Sequence, residues 1–299
     1  MAYSESRAYV ELHLAVFLWG FTAILGDLIQ LSALTLVWWR VFLTCLSLLA
    51  FVRLGQIYRD LGPRYLFTLM GIGCLTGLHW LAFYGSIKLA NASIALITMA
   101  TTSLFSSLLE PWIVGRPFRW YELLLGIFIL PGIWLITEGS SDEMNLGIIV
   151  GLVSAFLASL FTTLNKRYIR KTNPLRVTFI ELGGATIFLG LLLPFFGVSP
   201  FFPASGLDWL YLIVLALLCT TLTYVLSLRA LRKLSAFATN LTINLEPVYG
   251  IFLAYFLLND GRELSGQFYL GTLIIILAVF GYAGINRWRK RRRLQSSRV

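Results

Sequence analysis

The chain has 299 residues, of which 58% are hydrophobic and only 13% are charged. A soluble domain is about half apolar and a quarter charged, so this chain has too few charges to cover a water-facing surface. The same composition excludes an intrinsically disordered chain. We therefore predict an integral membrane protein. Its unbroken apolar runs favour helices over a porin-type barrel, whose strands alternate apolar and polar residues.

Ten apolar segments follow one another along the chain, each close to the about 20 residues that a helix needs to cross a bilayer. Turn residues such as Gly62-Pro63, Asn173-Pro174 and Asn259-Asp260-Gly261 separate them. We number these predicted spans 1 to 10 in chain order: 10–31, 33–54, 65–87, 92–114, 120–138, 146–166, 174–197, 208–229, 235–257 and 264–286.

Lysine and arginine residues predict the orientation of these spans, because they collect on the cytoplasmic side of a membrane. If the N-terminus is cytoplasmic, only Lys88 and Arg262 lie outside and Arg40 lies within the membrane. All other basic residues are then cytoplasmic, including those of the tail 287–299. We predict two cytoplasmic termini and a location in the plasma membrane, the inner membrane of a bacterium.

A weak internal repeat relates the two halves of the chain. A shift of 145 residues places Lys88-Leu89 on Lys233-Leu234 and Leu125-Gly126 on Leu270-Gly271. The predicted repeats are 1–138 and 146–286, with five spans each. An odd number of spans inverts the second repeat relative to the first. Inverted repeats are typical of alternating-access transporters, which bind substrate near the membrane midplane between the repeats.

Four short motifs carry a resemblance to a known family: Phe17-Leu18-Trp19-Gly20, Trp38-Trp39-Arg40, Leu89-Ala90-Asn91-Ala92-Ser93 and Leu245-Glu246-Pro247-Val248. With these motifs the chain resembles the drug/metabolite transporter superfamily, in its EamA-like ten-helix branch. The resemblance implies a secondary transporter of small metabolites, such as amino acids or related compounds, and favours export. The family commonly has a mid-helix proline in both halves. Here Pro247 is present in the second half, and Thr101-Thr102 occupies the matching place in the first.

Three charged residues within spans are candidates for a binding or coupling site, because a charge inside the membrane is costly. Arg40 either holds a substrate carboxylate as a bidentate fork or forms a permanent pair with Asp27. Glu181 mirrors Arg40 on the opposite side of the midplane, so a direct bridge between them is not expected. Glu181 either carries a proton or is a neutral, hydrogen-bonded acid. Glu246 lies beside the helix-breaking Pro247 at mid-span.

Uncharged groups complete the set of candidates. Asn240 and Asn244 share a helix face, as substrate ligands or as a link between helices, and Glu246 points elsewhere unless the helix is kinked. His79 either titrates or is a neutral histidine bonded to a hydroxyl. Trp19 either stacks on substrate or packs, and Trp80 pairs with Tyr84 on the helix face next to that of His79. The full set of substrate-binding or coupling candidates is Trp19, Arg40, His79, Trp80, Thr102, Glu181, Asn240, Asn244 and Glu246.

Other function classes find little support in the sequence. Cys45, Cys74 and Cys219 have no ligand-like spacing, and no nucleotide-binding loop or catalytic motif occurs, so neither a metal, a cofactor nor an enzyme is predicted. The basic residues flank apolar spans, which argues against a nucleic-acid partner. The predicted partners are a small molecule, the lipid bilayer and, as one option for the driving force, protons. The alternative functions are a lipid flippase and an uncoupled facilitator.

Overall fold

The computed structural model describes residues 4–137, 144–197 and 199–246 and, with gaps, residues 248–288. Within these ranges the regular elements are all helical. The helices are α1 Glu5–Leu28, α2 Ala33–Leu49, α3 Leu54–Leu61, α4 Pro63–Leu89, α5 Ala92–Met99, α6 Thr102–Val114, α7 Trp120–Thr137, α8 Asn145–Tyr168, α9 Pro174–Leu192, α10 Gly206–Ala216, α11 Thr223–Leu231 and α12 Ala236–Ile243.

Six helical segments of the described chain are long and apolar enough to cross a membrane, and α2 with α3 makes a seventh if that bent pair is counted as one. They correspond to predicted spans 1 to 4 and 6 to 8. Predicted span 5 coincides with α7. The described residues leave out nine of the 23 residues of span 10, most of span 9 beyond Glu246, including Pro247, and the tail 289–299. The count of ten spans therefore stays a prediction.

Predicted span 2 is wrong at its C-terminal end. The helix α2 stops at Leu49, and the chain bends by 95° into α3. Arg176 of α9 holds the polar side of α3, donating to Asp60 at 2.8 Å and to Gln56 at 3.1 Å. Tyr58, on α3, is largely exposed. A short helix with one polar side and exposed apolar groups is suited to lie along a membrane surface.

Two predicted spans are interrupted helices. Span 4 breaks at Ala100–Thr101 between α5 and α6, although no proline lies there. The Thr101 hydroxyl donates to the Thr98 carbonyl at 2.7 Å, and hydroxyl bonds of this kind compete with the backbone ladder. In span 9, α12 ends at Ile243 and is followed by a turn at Asn244–Leu245. Both α5 and α12 have eight residues, and they begin 144 residues apart with a side-chain cap each, which supports the internal repeat.

A close helix contact between the two halves joins α4 to α9. A Cβ built on Gly73 would lie 1.7 Å from the carbonyl oxygen of Glu181, and one on Gly184 would lie 2.7 Å from the Cα of Met70. Backbone atoms cannot turn aside as a side chain can. Small residues at these two positions therefore let the helices touch, as is common between membrane helices.

We expect Gly73→Ala to destabilise the protein by about 3 kcal/mol or more, because the added methyl group must push α4 and α9 apart. Gly71→Ala is the matched control on the same helix, since a Cβ there meets no atom within 4 Å. The measurement is thermal unfolding of the purified variants in detergent. Equal midpoints for the two variants would refute the close contact.

Candidate functional site

A cavity lies between the two halves of the chain. Each half contributes eight of its lining residues, so the cavity belongs to neither repeat alone. Predicted spans 1 to 4, 6, 8 and 9 line it, whereas α9, which is span 7, does not. The lining residues are Trp19, Thr22, Arg40, His79, Trp80, Phe83, Met99, Thr102, Ala158, Phe161, Thr162, Tyr224, Ser227, Asn240, Ile243 and Glu246.

Arg40 is the cation of this cavity and is fully buried. Its Nε donates to the Thr220 hydroxyl at 2.5 Å, Nη1 to the Tyr84 hydroxyl at 3.0 Å and Nη2 to the Cys219 carbonyl at 3.2 Å. The guanidinium carbon lies 4.2 Å from the centre of the Trp80 ring. A guanidinium has five N–H groups, so these three bonds leave hydrogens for a further acceptor.

The alternative pairing of Arg40 with Asp27 is wrong. Asp27 is exposed, and the acceptors of the guanidinium are the neutral groups of Tyr84, Thr220 and Cys219. Two of them come from a π-helical segment, Leu217–Leu222, which joins α10 to α11. Such segments often occur at functional sites because they displace backbone carbonyls from the regular ladder. Arg40 thus stays a buried cation with no carboxylate partner in the described part of the chain.

Glu246 is the acidic residue of the cavity. It is buried and makes no hydrogen bond with any residue that the structure describes. Asn240 lines the same cavity. Asn240 and Glu246 can line the same cavity because the turn at Asn244–Leu245 interrupts the helix between them. The sequence predicted that only a kink of this kind would let Glu246 face the same way as Asn240. Glu246 and Arg40 interact electrostatically, although no ion pair within 4 Å joins these two described residues.

The two asparagines also link helices. Asn240 donates to the Ser106 hydroxyl at 2.6 Å, and Asn244 donates to the Ser103 hydroxyl at 3.0 Å. Thr102 lines the cavity and donates to Asn244 at 3.4 Å. Asn244 itself is absent from the cavity wall. Its bonds favour the role of a link between α6 and the turn after α12.

His79 is bonded to Ser154 of α8. Its Nδ1 lies 3.0 Å from the Ser154 carbonyl oxygen and 2.9 Å from the Ser154 hydroxyl, which in turn donates to the His79 carbonyl at 2.9 Å. A carbonyl only accepts, so Nδ1 carries a hydrogen, and a neutral ring then keeps Nε2 as an acceptor. The hydrogen bond between His79 and a hydroxyl group, which the second alternative required, is therefore present.

Aromatic rings form much of the remaining wall. Trp19 and Trp80 line the cavity with Phe83 and Phe161. Trp80 lies edge-on to Tyr224, with ring centres 6.0 Å apart, and beneath the Arg40 guanidinium. The wall therefore combines one cation, one carboxyl group and a broad apolar surface, which suits a molecule with both charged and apolar parts.

Glu181 lies behind this wall, outside the cavity. It is fully buried and accepts a hydrogen bond from Tyr224 at 2.6 Å and from Asn165 at 3.1 Å. No salt bridge joins it to Arg40, as the sequence predicted. Neither Tyr224 nor Asn165 was among the candidates predicted from the sequence. Asn165 is almost completely buried.

A buried ionic cluster at the other end of α6 was likewise missed. Glu110 accepts from the backbone amides of Ala236 and Phe237, both at 2.9 Å, and from Arg116 at 2.9 Å. Arg116 also binds Glu122. Burial disfavours the charge of Arg116, yet the two carboxyl groups hold the pKa of Arg116 above its usual value. Glu110 thus connects α6 to the first turn of α12.

Comparisons with known proteins show which family this chain resembles. The model of the EamA-like transporter family matches twice, at residues 7–138 and 145–284. The uncharacterised transporter YdfC of Bacillus subtilis is 25% identical over 84% of this chain and 82% of its own. An uncharacterised transporter of Archaeoglobus fulgidus is 24% identical over 92% of this chain and 97% of its own.

A protein crystal structure with 18% sequence identity has the same fold, with a TM-score of 0.72 over 92% of this chain and 96% of that chain. The family matches confirm the predicted resemblance and identify a multi-pass membrane protein built from two repeats. The chain belongs to the EamA-like transporter family.

Proposed function

We propose that this protein is a secondary transporter that exports a small, zwitterionic metabolite with an apolar body. The observation that carries the proposal is the cavity between the repeats, in which Arg40 has no carboxylate partner and Glu246 has no hydrogen bond within the described chain. Amino acids and related compounds have this chemistry. Export as the direction follows the family resemblance.

The substrate carboxylate would bind the free hydrogens of Arg40, and its ammonium group would face Glu246. Arg40 and Glu246 are both buried and no ion pair within 4 Å joins them, and a buried charge without a close partner is costly. A zwitterion supplies one partner to each. The buried Thr22 hydroxyl has no partner among the described residues and lies on the same wall, where it offers one more polar contact. The rings of Trp80, Phe83 and Phe161 would hold the apolar body.

The membrane arrangement of the proposal has ten spans in two inverted repeats, 1–138 and 146–286, with both termini and the tail 287–299 in the cytoplasm of a bacterium. The paired eight-residue helices α5 and α12 support this symmetry. Alternating access would rock the repeats about the cavity. The driving force is either a proton gradient or the substrate gradient. A flippase would need a lateral path for two acyl chains, and an uncoupled facilitator would ignore a pH gradient.

The proposal is tested with purified protein in liposomes that are loaded with a pooled extract of amino acids, sugars and other small metabolites. Mass spectrometry reads the compounds that leave, and protein-free liposomes serve as the control. We expect selective loss of zwitterionic compounds with apolar side chains. Loss of sugars or anions instead would contradict the substrate class. Movement of fluorescent phospholipids without loss of any metabolite would favour the flippase.

A further inference from the structure

Glu181 is a buried acid that the proposed substrate site does not use. No part of its side chain is exposed, and its Oε1 has no hydrogen-bond partner in the described chain. The neighbouring Asn165 Oδ1 also lacks a partner. A buried carboxylate with one oxygen left without a hydrogen bond keeps its negative charge at a high cost, and an added proton would remove that charge.

Among the described residues, no positively charged side chain contacts Glu181. The side chains that face it or its helix turn come from four helices: Tyr224 of α11, Asn165 of α8, Tyr65 and Cys74 of α4, and Cys45 of α2. All of them are neutral hydroxyl, amide or thiol groups. A buried carboxyl group without a counterion favours its protonated, uncharged form.

The hydrogen bonds of Tyr224 allow two arrangements of the hydrogen atoms while the heavy atoms keep their positions. The Tyr224 hydroxyl oxygen lies 2.6 Å from Glu181 Oε2 and 3.2 Å from the Thr76 hydroxyl, and Thr76 donates to the Ile72 carbonyl at 3.1 Å. With Glu181 ionised, Tyr224 donates to the carboxylate. With Glu181 protonated on Oε2, the acid donates to Tyr224, which turns its hydrogen to Thr76. One proton on Glu181 thus reverses the donor and acceptor roles in the hydrogen bonds from Glu181 through Tyr224 to Thr76.

Tyr224 connects these hydrogen bonds to the substrate cavity. Its side chain lines the cavity, its ring lies edge-on to Trp80, and Trp80 supports the Arg40 guanidinium from 4.2 Å. We propose that Glu181 is the proton-binding site that couples transport to a proton gradient, with Tyr224 as the positioning residue between that site and the cavity. This inference rests on the proposed transport function. The step is the transfer of one proton from a hydronium ion to the Glu181 carboxylate: one O–H bond of hydronium breaks, one O–H bond forms on Glu181, and water is left.

The test compares two modes of transport in liposomes, with radiolabelled L-phenylalanine as a zwitterionic probe of fitting shape. Exchange of labelled for unlabelled probe at equal pH does not need the coupling proton, whereas net movement driven by a pH gradient does. We expect Glu181→Gln to keep exchange within about twofold and to lose at least about tenfold of the gradient-driven flux. Glu246→Gln is the contrasting variant, and both modes should fall in it by at least about tenfold because it alters the cavity wall.

Tyr224→Phe keeps the ring against Trp80 and removes the hydroxyl group. We expect the ratio of gradient-driven flux to exchange to fall in this variant as well. A Glu181→Gln protein that keeps its gradient-driven flux would overturn the proposal. So would equal loss of both modes, because Glu181 would then serve folding or binding.

An infrared titration of the same liposomes gives a readout that needs no substrate. We expect a carboxylic acid C=O band that disappears as the pH rises and that is absent in Glu181→Gln but retained in Glu246→Gln. If wild-type protein fails to exchange phenylalanine, the substrate proposal fails, and this band still decides the role of Glu181. A band unchanged by Glu181→Gln would overturn the proton site.

Discussion

Arg40→Lys is expected to lower transport of a zwitterionic substrate by about 100-fold, which corresponds to roughly 3 kcal/mol of lost binding to the substrate carboxylate. Lysine keeps the positive charge and loses the planar fork of N–H groups that fits a carboxylate. It also cannot keep all three present bonds, to Thr220, Tyr84 and Cys219, in the same geometry. The measurement is the initial rate of exchange in liposomes at several substrate concentrations.

Arg59→Lys is the matched control for this change. Arg59 lies on α3, outside the cavity, and is exposed. Its replacement should leave the rate within about twofold of wild type, as is usual for an exposed site. Both variants must show the unfolding midpoint of wild type for the comparison to concern binding. An Arg40→Lys protein as active as the Arg59→Lys control would remove Arg40 from the substrate site.

Glu110→Gln should destabilise the protein by about 3 kcal/mol, since breaking one side of a buried ion pair leaves the other charge uncompensated. The carboxyl group accepts from two backbone amides at the start of α12 and from Arg116. A glutamine has one acceptor oxygen and one donor nitrogen, so it cannot satisfy all three donors. The measurement is the midpoint of thermal unfolding in detergent.

Asp60→Asn is the control for Glu110→Gln. It removes the charge that pairs with Arg176 at 2.8 Å, but the Asp60 side chain is 51% exposed. An exposed pair contributes about 0–1 kcal/mol, because water and salt screen it. The unfolding midpoint should therefore change far less than in Glu110→Gln. Similar midpoints for both variants would mean that Glu110 does not secure α12.

The charged residues of the cavity could be predicted from sequence because a charge within an apolar span is rare and costly. Arg40 and Glu246 were found by this rule, and both line the cavity. The rule says nothing about what a buried charge contacts. Asp27 was the nearest acid by position, yet neutral groups 180 residues along the chain, at Cys219 and Thr220, hold the guanidinium.

Neutral side chains and carboxyl groups near the span ends could not be recognised from the sequence in the same way. A tyrosine in an apolar span, such as Tyr224, is interpreted as a packing residue as long as the hydrogen-bond partner of its hydroxyl group is unknown. Glu110 lies near a span end, where a carboxyl group normally reaches water. Its partners at Ala236 and Phe237 depend on where α12 begins, 126 residues later. The break at Ala100–Thr101 was missed because hydroxyl bonds rather than a proline interrupt that helix.

The central claim is that one molecule bridges Arg40 and Glu246 in the cavity, and it can be tested by competition. Phenylalanine, phenethylamine, which lacks the carboxylate, and phenylpropionate, which lacks the ammonium group, compete for exchange in wild type, Arg40→Lys and Glu246→Gln. We predict that Arg40→Lys weakens only the two carboxylates and Glu246→Gln only the two amines, each by at least about tenfold. Equal weakening of all three compounds by both variants would contradict the claim.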